Sequence, residues 1–224
     1  MRSCSTSNDA RAARHGALGD PVRLSIVDEL RLSDRSPLDL REQLGIESNL
    51  LTHHLDVLEQ VGLIERTRSS GDGRRRYVHL RDDAMPFVDP CCTVTLGPAL
   101  FVCTANSARS QLAAALWEVD TGQQARSAGT DPADAVSAGA VAAAARIGLD
   151  LRDAVPTPLD AVGRSPALVV TVCDRAHEQL EPHPDRLHWS VPDPVPDGRA
   201  AAFDRVVTEL RERIARITSL AVAS

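Results

Sequence analysis

The spacing of apolar residues divides the chain into two parts with different periodicities. Residues 9–32 carry apolar side chains at helical spacing, and those on the common side are Leu18, Val22, Ile26, Val27 and Leu30. Asp20-Pro21 predicts that a second helix begins within this stretch, because Pro is well tolerated in a first turn. A short helix over 37–44 is predicted to end at Gly45, and a longer one over 49–61 at Gly62.

A β-hairpin is predicted directly after these helices. Residues 64–68 and 74–80 have strand character, and the Ser-Ser-Gly-Asp-Gly segment between them supplies the backbone freedom that a turn needs. The order helix, helix, turn, helix, hairpin is that of a winged helix-turn-helix domain, an α+β fold.

The second part of the chain alternates strands with helices. Strand-like runs occupy residues 99–102, 125–130, 167–172 and 187–190, and helical segments occupy 111–117, 133–147 and 200–217. This alternation predicts an α/β domain with three layers around a parallel sheet. In such a domain the chemistry is expected in the loops that follow the strands.

The remaining segments show neither the helical spacing nor the strand-like runs of apolar residues. Residues 1–11 are predicted to be a disordered tail and residues 83–98 a linker, which places the two domains at 12–82 and 99–224. No run of 18 apolar residues and no signal-peptide pattern occurs, which predicts a cytoplasmic protein without a membrane span. In a reducing compartment the five cysteines, at positions 4, 91, 92, 103 and 173, are expected to serve redox or metalloid chemistry.

Charge narrows the possible partners. The chain carries a net charge of −6, which argues against a protein that coats nucleic acid generally. Residues 66–81 nevertheless hold six Arg against one Asp, and this excess falls on the predicted hairpin. A basic hairpin beside a helix-turn-helix predicts contacts with DNA phosphates.

The densest candidate chemistry lies between the first strand and the first helix of the second part. Cys103 and Arg109 enclose five residues, Thr104, Ala105, Asn106, Ser107 and Ala108, and Ser110 follows. The amide N–H groups of such a loop converge with the positive end of the helix, and the Arg fork matches a tetrahedral oxyanion. The same field is expected to lower the pKa of the Cys103 thiol. The segment therefore predicts an oxyanion-binding loop with a thiolate nucleophile.

The segment from Val102 to Gln111 resembles the phosphate-binding loop of the low-molecular-weight tyrosine phosphatase fold, and Gln111 favours its arsenate reductase branch. The resemblance implies that Cys103 is the nucleophile and that Arg109 binds the oxyanion. It also implies that Asn106 shapes the loop and that the Ser110 hydroxyl hydrogen-bonds the thiolate.

Two further residues outside the loop receive roles from the same resemblance. Asp193, in the Asp193-Pro194 pair, is implied to be the general acid, and Cys173 is implied to be a second, redox-active thiol. No tightly bound cofactor and no metal is expected. An external thiol reductant, either thioredoxin or a low-molecular-weight thiol, is expected to complete the cycle.

Several positions depart from the pattern of that family. Leu180 stands where the family has a third thiol, so the full internal relay of disulfides is absent. Ala105 stands where the family usually has Gly, and Ala resists a positive φ. Val195 follows Asp193-Pro194, and the only Tyr of the chain is Tyr77, so the aromatic residues that grip phosphotyrosine are missing. A small oxyanion is therefore expected in preference to phosphotyrosine.

The first part resembles the arsenic-repressor (ArsR-type) family over residues 12–82, through Ala17–Leu24 and His54–Ile64. The resemblance implies a homodimer that reads a two-fold symmetric DNA operator. The residues expected at the DNA are Ser48, Asn49, Thr52, His53 and His54 on the recognition helix and Arg74, Arg75 and Arg76 on the wing. The helix over 37–44 lacks the Cys-x-Cys sensor of many such repressors, which leaves Cys91-Cys92 as candidate ligands for trivalent arsenic.

Together these features predict a bifunctional arsenic-resistance protein, in which a DNA-binding transcriptional regulator is fused to an arsenate reductase. Two alternatives stay open. The second domain could be a non-catalytic sensor of an oxyanion or of redox state, which Ala105 and Leu180 favour and the intact Cys103 and Arg109 oppose. It could also be a phosphatase acting on small phosphoesters or phosphotyrosine, a reaction that has no need of Cys173.

Overall fold

The computed structural model describes residues 8–81, 96–163, 166, 168–183 and 185–220. The chain divides into two compact units, one comprising Met1–Arg68 and Arg74–Cys92 and the other Ser69–Gly73 and Thr93–Ser224. Across the described residues, no helix combines the length and the apolar character that crossing a membrane requires.

Four helices build the first unit, and their ends follow the capping residues of the sequence. They are α1 (Asn8–Leu18), α2 (Pro21–Leu32), α3 (Pro37–Leu44) and α4 (Ser48–Gln60). The Asp20 side chain accepts from the first N–H groups of α2, and Ser36 forms a reciprocal capping box with Asp39 at the start of α3. Gly45 ends α3 with a φ of 64°, in the left-handed region that Gly adopts without strain.

A two-stranded antiparallel sheet follows these helices, as the hairpin pattern predicts. Strand β1 (Ile64–Arg68) pairs with β2 (Arg76–Leu80), with Ile64 opposite Leu80. The core of the unit is formed by the inward sides of α1 to α4 and of the hairpin, among them Ile26, Leu30, Leu55, Leu58 and Val78. Helix α1 already includes residues 8–11, which the sequence assigned to a disordered tail, while the rest of that tail lies outside the described residues.

The second unit contains a four-stranded parallel sheet with the strand order β4-β3-β5-β6. Along the chain its elements are β3 (Ala99–Cys103), α5 (Arg109–Thr121), β4 (Ala125–Gly129), α6 (Ala138–Arg146), β5 (Leu168–Thr171), α7 (Asp174–Gln179), β6 (Arg186–His188) and α8 (Ala200–Ser219). The α/β architecture predicted from the alternation of strands and helices is confirmed. Strand β3 is buried along its whole length, as an interior strand of a parallel sheet should be.

Aromatic residues anchor the core of the second unit beneath the sheet edge that carries the loops. The Phe101 ring lies 5.9 Å from the Trp117 ring and 5.8 Å from the Trp189 ring, measured between centroids, and all three side chains are buried. Such tilted aromatic contacts add to the energy of burial itself. These contacts hold β3, α5 and the segment after β6 together, directly below the loops that follow β3 and β6.

The strand register brings the candidate chemistry to one edge of the sheet. Cys103 at the end of β3 lies opposite Gly129 at the end of β4, and Val102 lies opposite Thr171 at the end of β5. Thr171 in turn lies opposite His188 at the end of β6. Because all four strands are parallel, their carboxyl ends share this edge, where ligands bind in open α/β sheets.

Candidate functional site

The Cys103 sulfur lies at the bottom of the loop that joins β3 to α5. Only 2% of the residue is exposed. Its Sγ accepts a hydrogen bond from the backbone N–H of Asn106 at 3.1 Å, and the Ser110 Oγ lies 3.0 Å from it. The contact between Ser110 and the thiol therefore exists in the geometry that the resemblance implied.

Asn106 shapes the loop with both its backbone and its side chain. It has a φ of 49° and is the single non-glycine residue with a positive φ in the described part of the chain. Its Nδ2 donates to Ser110 Oγ at 2.7 Å, while its Oδ1 accepts from the Thr157 N–H at 2.8 Å and from Gln111 Nε2 at 3.1 Å. These bonds offset the cost of the left-handed conformation, which Asn tolerates better than most residues. Ala105 does not adopt a positive φ, so the strain expected at this position is absent.

The carbonyl groups of the loop are hydrogen-bonded to a neighbouring segment. Four of them accept hydrogen bonds from the backbone of the segment after β4, through the pairs Thr130 to Cys103, Asp131 to Thr104, Ala133 to Ala105 and Ser137 to Ser107, at 2.8–3.1 Å. On the other side of the loop, the Asn106 N–H donates to the Cys103 sulfur. Converging N–H groups at a helix start form an anion-binding concavity.

Gly129 allows the two segments to approach this closely. A Cβ atom on Gly129 would lie 2.6 Å from the Thr104 carbonyl oxygen and 3.0 Å from the Asn106 Cβ. Because both neighbouring atoms belong to or adjoin the backbone of the loop, a side chain here would displace the loop itself.

Arg109 is the first residue of α5, and its guanidinium is buried beside the segment after β6. Its Nη1 donates to the Val191 carbonyl at 3.0 Å, and its Nη2 donates to Asp193 Oδ2 at 2.9 Å. The Arg109 side chain is 8% exposed and that of Asp193 is 41% exposed. The loop cation and the candidate acid are therefore brought together, with the carboxyl group open to solvent.

Burial dominates the titration of the candidate nucleophile. It raises the pKa of the Cys103 thiol above its ordinary value, whereas the hydrogen bond with Ser110 and the charge of Arg109 act in the opposite direction. The sequence-based expectation of a lowered pKa is therefore wrong for this state of the protein. The physical reason is that a sulfur enclosed by β3 and its loop loses the hydration that stabilises a thiolate.

Cys173 lies beside the same loop. It is 2% exposed, and it caps the N-terminus of α7 by accepting from the Ala176 N–H at 3.4 Å. The Thr104 hydroxyl, one residue after Cys103, is 3.4 Å from the Cys173 Sγ. Charge at Cys173 contributes to raising the pKa of the Cys103 thiol, which indicates that the two groups lie close together. The structure therefore brings the candidate nucleophile and the candidate second thiol to one place.

The candidate DNA-binding residues of α4 lie on two different faces. Ser48, Asn49, Thr52 and His53 are exposed. His54 is 5% exposed, and its Nδ1 lies 3.7 Å from Asp20 Oδ1 at the start of α2. The assignment of His54 to DNA contact is therefore wrong, because its side chain belongs to the packing between α2 and α4.

The arginines of the hairpin also differ in their surroundings. Arg74, Arg75 and Arg76 are exposed, in agreement with their assignment to the wing. Arg66, in contrast, bridges β1 to α4 through Asp56, at 2.6 Å, and through Glu59. Part of the local excess of arginine thus fixes the hairpin against α4.

Several residues of the site carry no signal that the sequence analysis used. They are Gly129 and Thr157, which shape the loop, Val191, which holds Arg109, and the Asp174 and His188 pair behind Cys173. Each acts through a backbone group or through a neighbouring strand, so only the sheet register reveals it. Cys4, Cys91 and Cys92 lie outside the described residues. Among the residues that the structure describes, no group of three or more His, Cys, Asp or Glu side chains could hold a metal ion.

Comparisons with known proteins find two family models that match separate parts of the chain. Residues 99–221 match the model for the low molecular weight phosphotyrosine protein phosphatase family, and residues 18–67 match a helix-turn-helix domain model. An arsenate reductase of Bacillus cereus is 34% identical over 127 residues, which are 54% of this chain and 92% of that protein. An arsenate reductase of another Bacillus cereus strain is 35% identical over 125 residues, covering 53% and 91% respectively. The crystal structure of an arsenate reductase from Archaeoglobus fulgidus is 29% identical, with a TM-score of 0.48 and coverage of 54% of this chain and 98% of that one.

Proposed function

This chain belongs to the low molecular weight phosphotyrosine protein phosphatase family through residues 99–221, and we propose that this part is a thiol-dependent arsenate reductase fused to a DNA-binding transcriptional regulator. One observation carries the enzymatic half of the proposal. The Cys103 sulfur accepts a hydrogen bond from the Asn106 N–H in a loop that ends at Arg109, and a second buried thiol, Cys173, contacts the same loop. A phosphatase needs the first arrangement and has no use for the second.

In the proposed first step the Cys103 thiolate attacks arsenate held by the loop N–H groups and Arg109. An S–As bond forms, and an arsenate oxygen leaves as water after it takes up a proton. Asp193, 2.9 Å from the Arg109 guanidinium, is the proposed donor of that proton. The negative charge of the oxyanion is matched by the N–H groups and by the guanidinium, which favour charge developing in the transition state.

In the second step the Cys173 sulfur attacks the Cys103 sulfur. The S–S bond forms as the S–As bond breaks, and the electron pair of that bond stays on arsenic, which leaves as arsenite. Two thiols are thereby oxidised by two electrons and arsenic is reduced by two, so the step balances. Thr104 links the two thiols in space, since it follows Cys103 in the chain and its hydroxyl lies 3.4 Å from the Cys173 sulfur.

An external thiol then has to reduce the disulfide, because the position of the family's third thiol is taken by Leu180. Thioredoxin and a low-molecular-weight thiol are both proposed reductants. The test is steady-state formation of arsenite with each reductant supplied in parallel. Arsenite formation that requires Cys103 and either reductant supports the proposal, and its absence with both contradicts it.

The first unit is proposed to bind a two-fold symmetric operator as a homodimer, in the cytoplasm. Exposed Ser48, Asn49, Thr52 and His53 are the proposed base-reading residues, and Arg74 to Arg76 are the proposed phosphate contacts. Gel-shift titrations with operator DNA of the host's arsenic-resistance region, against an unrelated duplex of the same length, test this half. Equal affinity for both duplexes would contradict specific regulation.

A phosphatase acting on a small phosphoester is the second candidate. The contact between Arg109 and Asp193 is compatible with this reaction as well, because both reactions use a bound oxyanion and a proton donor. A phosphotyrosine substrate is disfavoured, because the described aromatic residues of this unit, Phe101, Trp117, Trp189 and Phe203, are all buried, while Val195 is 42% exposed. Hydrolysis of an aryl phosphate by a Cys173→Ser variant at the wild-type rate, without any arsenite formation by the wild type, would favour this candidate.

A further inference from the structure

A buried polar network lies directly behind Cys173. His188 on β6 has its Nε2 3.2 Å from Asp174 Oδ1 and its Nδ1 3.0 Å from the Thr171 hydroxyl. The same hydroxyl is 3.0 Å from the His177 Nδ1, and the two imidazole rings stack at 4.0 Å between centroids. Four polar side chains from β5, α7 and β6 are thus joined around the residue that follows the second thiol.

The reaction proposed above does not use this network directly, although burying its polar side chains costs free energy. Thr171 and His188 are fully buried and Asp174 is 2% exposed. Burial raises the pKa of Asp174, but the contact with His188 and hydrogen bonds from Ser190 and Ser70 outweigh it and lower the pKa to about 2. A carboxylate is therefore held ionised in the interior, which costs free energy unless it is well paired.

The network also supplies tertiary contacts that stabilise the short helix α7. A helix of six residues is too short to be stable without tertiary contacts. Asp174 is its first residue and His177 lies in its last turn, and both are tied to the sheet through Thr171 and His188. Cys173, as the N-cap, takes its position from this helix start.

From this geometry we infer that His188 is a positioning residue for Cys173, acting through Asp174. The inference rests on the proposed function, in which the Cys173 sulfur attacks the Cys103 sulfur. His188 contributes no atom to that step and accepts no electron. It holds the start of α7 so that the Cys173 sulfur remains beside Thr104 and within reach of Cys103, and a displacement of about 1 Å at such a group slows a reaction by about a hundredfold.

The experiment compares His188→Leu with His188→Gln in the full-length protein. Leu removes both polar contacts, whereas Gln keeps a donor for Asp174. After arsenate is added without external reductant, the Cys103–Cys173 disulfide is quantified against time by rapid quenching and peptide mapping. We expect about a tenfold to hundredfold slower disulfide formation in His188→Leu and a smaller loss in His188→Gln. His183→Leu, which replaces an exposed histidine before β6, is the matched control and should form the disulfide at the wild-type rate.

A second readout separates positioning from a general loss of structure. Protection of Cys103 against alkylation by arsenate reports the oxyanion loop alone and should be unchanged in His188→Leu. If His188→Leu does not fold, the rate of disulfide formation is measured in Asp174→Asn instead. This substitution keeps the side-chain volume at position 174 and removes the charge that His188 contacts. Disulfide formation at the wild-type rate in a folded His188→Leu or Asp174→Asn variant overturns the inference. If the wild type itself forms no disulfide, the proposed function fails instead.

Discussion

At the scale of single residues, the Cys103 thiol shows burial and hydrogen bonding acting against each other. Enclosure raises its pKa, while the Ser110 hydroxyl at 3.0 Å lowers it. An enzyme that relies on the thiolate therefore depends on Ser110 for the fraction of nucleophile that exists near neutral pH. The loop N–H groups and the helix start add a favourable field of the same sign.

Replacing Ser110 with Ala is expected to raise the pKa of Cys103 further, because a contact that favours the charged form is lost. The measurement is the rate of alkylation of Cys103 against pH, which should reach half of its maximum at higher pH in Ser110→Ala than in the wild type. Ser107→Ala, in the same loop, is the control and should follow the wild-type profile. An identical profile for Ser110→Ala would show that the hydroxyl does not act on the sulfur.

A second residue, Gly129, tests the shape of the loop instead of its charge. Gly129→Ala places a Cβ atom 2.6 Å from the Thr104 carbonyl, so the backbone must shift. We expect a loss of about 1–3 kcal/mol in the free energy of unfolding, together with weaker protection of Cys103 by arsenate or phosphate. Gly97→Ala is the control, because nothing lies within 4 Å of a Cβ atom there. Equal stability of the two variants would mean that the loop can move away at no cost.

At the scale of elements, the strand, loop and helix around Cys103 could be predicted because each has a local signal. An apolar run, a Cys-x5-Arg segment and an Ala-rich helix follow one another without a gap. Helix α7 has no such signal, since it is six residues long and depends on contacts with β5 and β6. Helix α6 begins later than the predicted residue 133, because Ser137 caps its N-terminus and residues 133–137 precede it.

The helical periodicity of α4 places His54 on the buried face, whereas the resemblance implied that it contacts DNA. Leu51, His54, Leu55 and Leu58 share one side of α4 at the spacing of a buried helix face, and all four are buried. Thr52 and His53 fall on the opposite side and are exposed. Contacts between strands, such as that of Asp174 with His188, follow from the sheet register, which short-range patterns do not contain.

The hairpin and α4 are expected to contribute differently to DNA binding. Replacing Arg74, Arg75 and Arg76 with Ala should weaken binding to all duplexes and flatten the dependence of affinity on salt, because fewer counterions are released. Asn49→Ala should instead relax sequence preference, by about 1–3 kcal/mol if Asn49 makes a good base contact. The measurement is affinity against salt concentration for operator and unrelated DNA. An unchanged salt slope in the triple variant would remove the wing from the interface.

At the scale of the whole molecule, two different family models match separate parts of one chain, and the chain divides into two compact units. A reductase joined to a regulator produces arsenite where a regulator can sense it. Thiolates bind trivalent arsenic far better than they bind arsenate, so a thiol sensor responds to the product. Cys91 and Cys92, between the two matched families, are the hypothesised sensor, and they lie outside the described residues.

Arsenite is accordingly expected to release the protein from its operator, which requires tighter arsenite binding to the free form than to the DNA-bound form. Operator binding is titrated with arsenite for the wild type and for a Cys91→Ser/Cys92→Ser variant. Release of the wild type but not of the double variant supports Cys91 and Cys92 as the arsenite sensor. If both are released alike, other thiols such as Cys4 or Cys103 sense arsenite, and if neither is released, the regulator responds to another signal.

The stoichiometry of a single turnover shows whether Cys103 and Cys173 together reduce arsenate. Reduced protein is mixed with arsenate in the absence of any external thiol, and arsenite and free thiols are counted per chain. The account predicts one arsenite formed and two thiols lost per chain, with Cys103 and Cys173 joined in one disulfide and no arsenite from a Cys103→Ser variant. Absence of arsenite from the wild type, or arsenite formation that leaves Cys103 reduced, would contradict it.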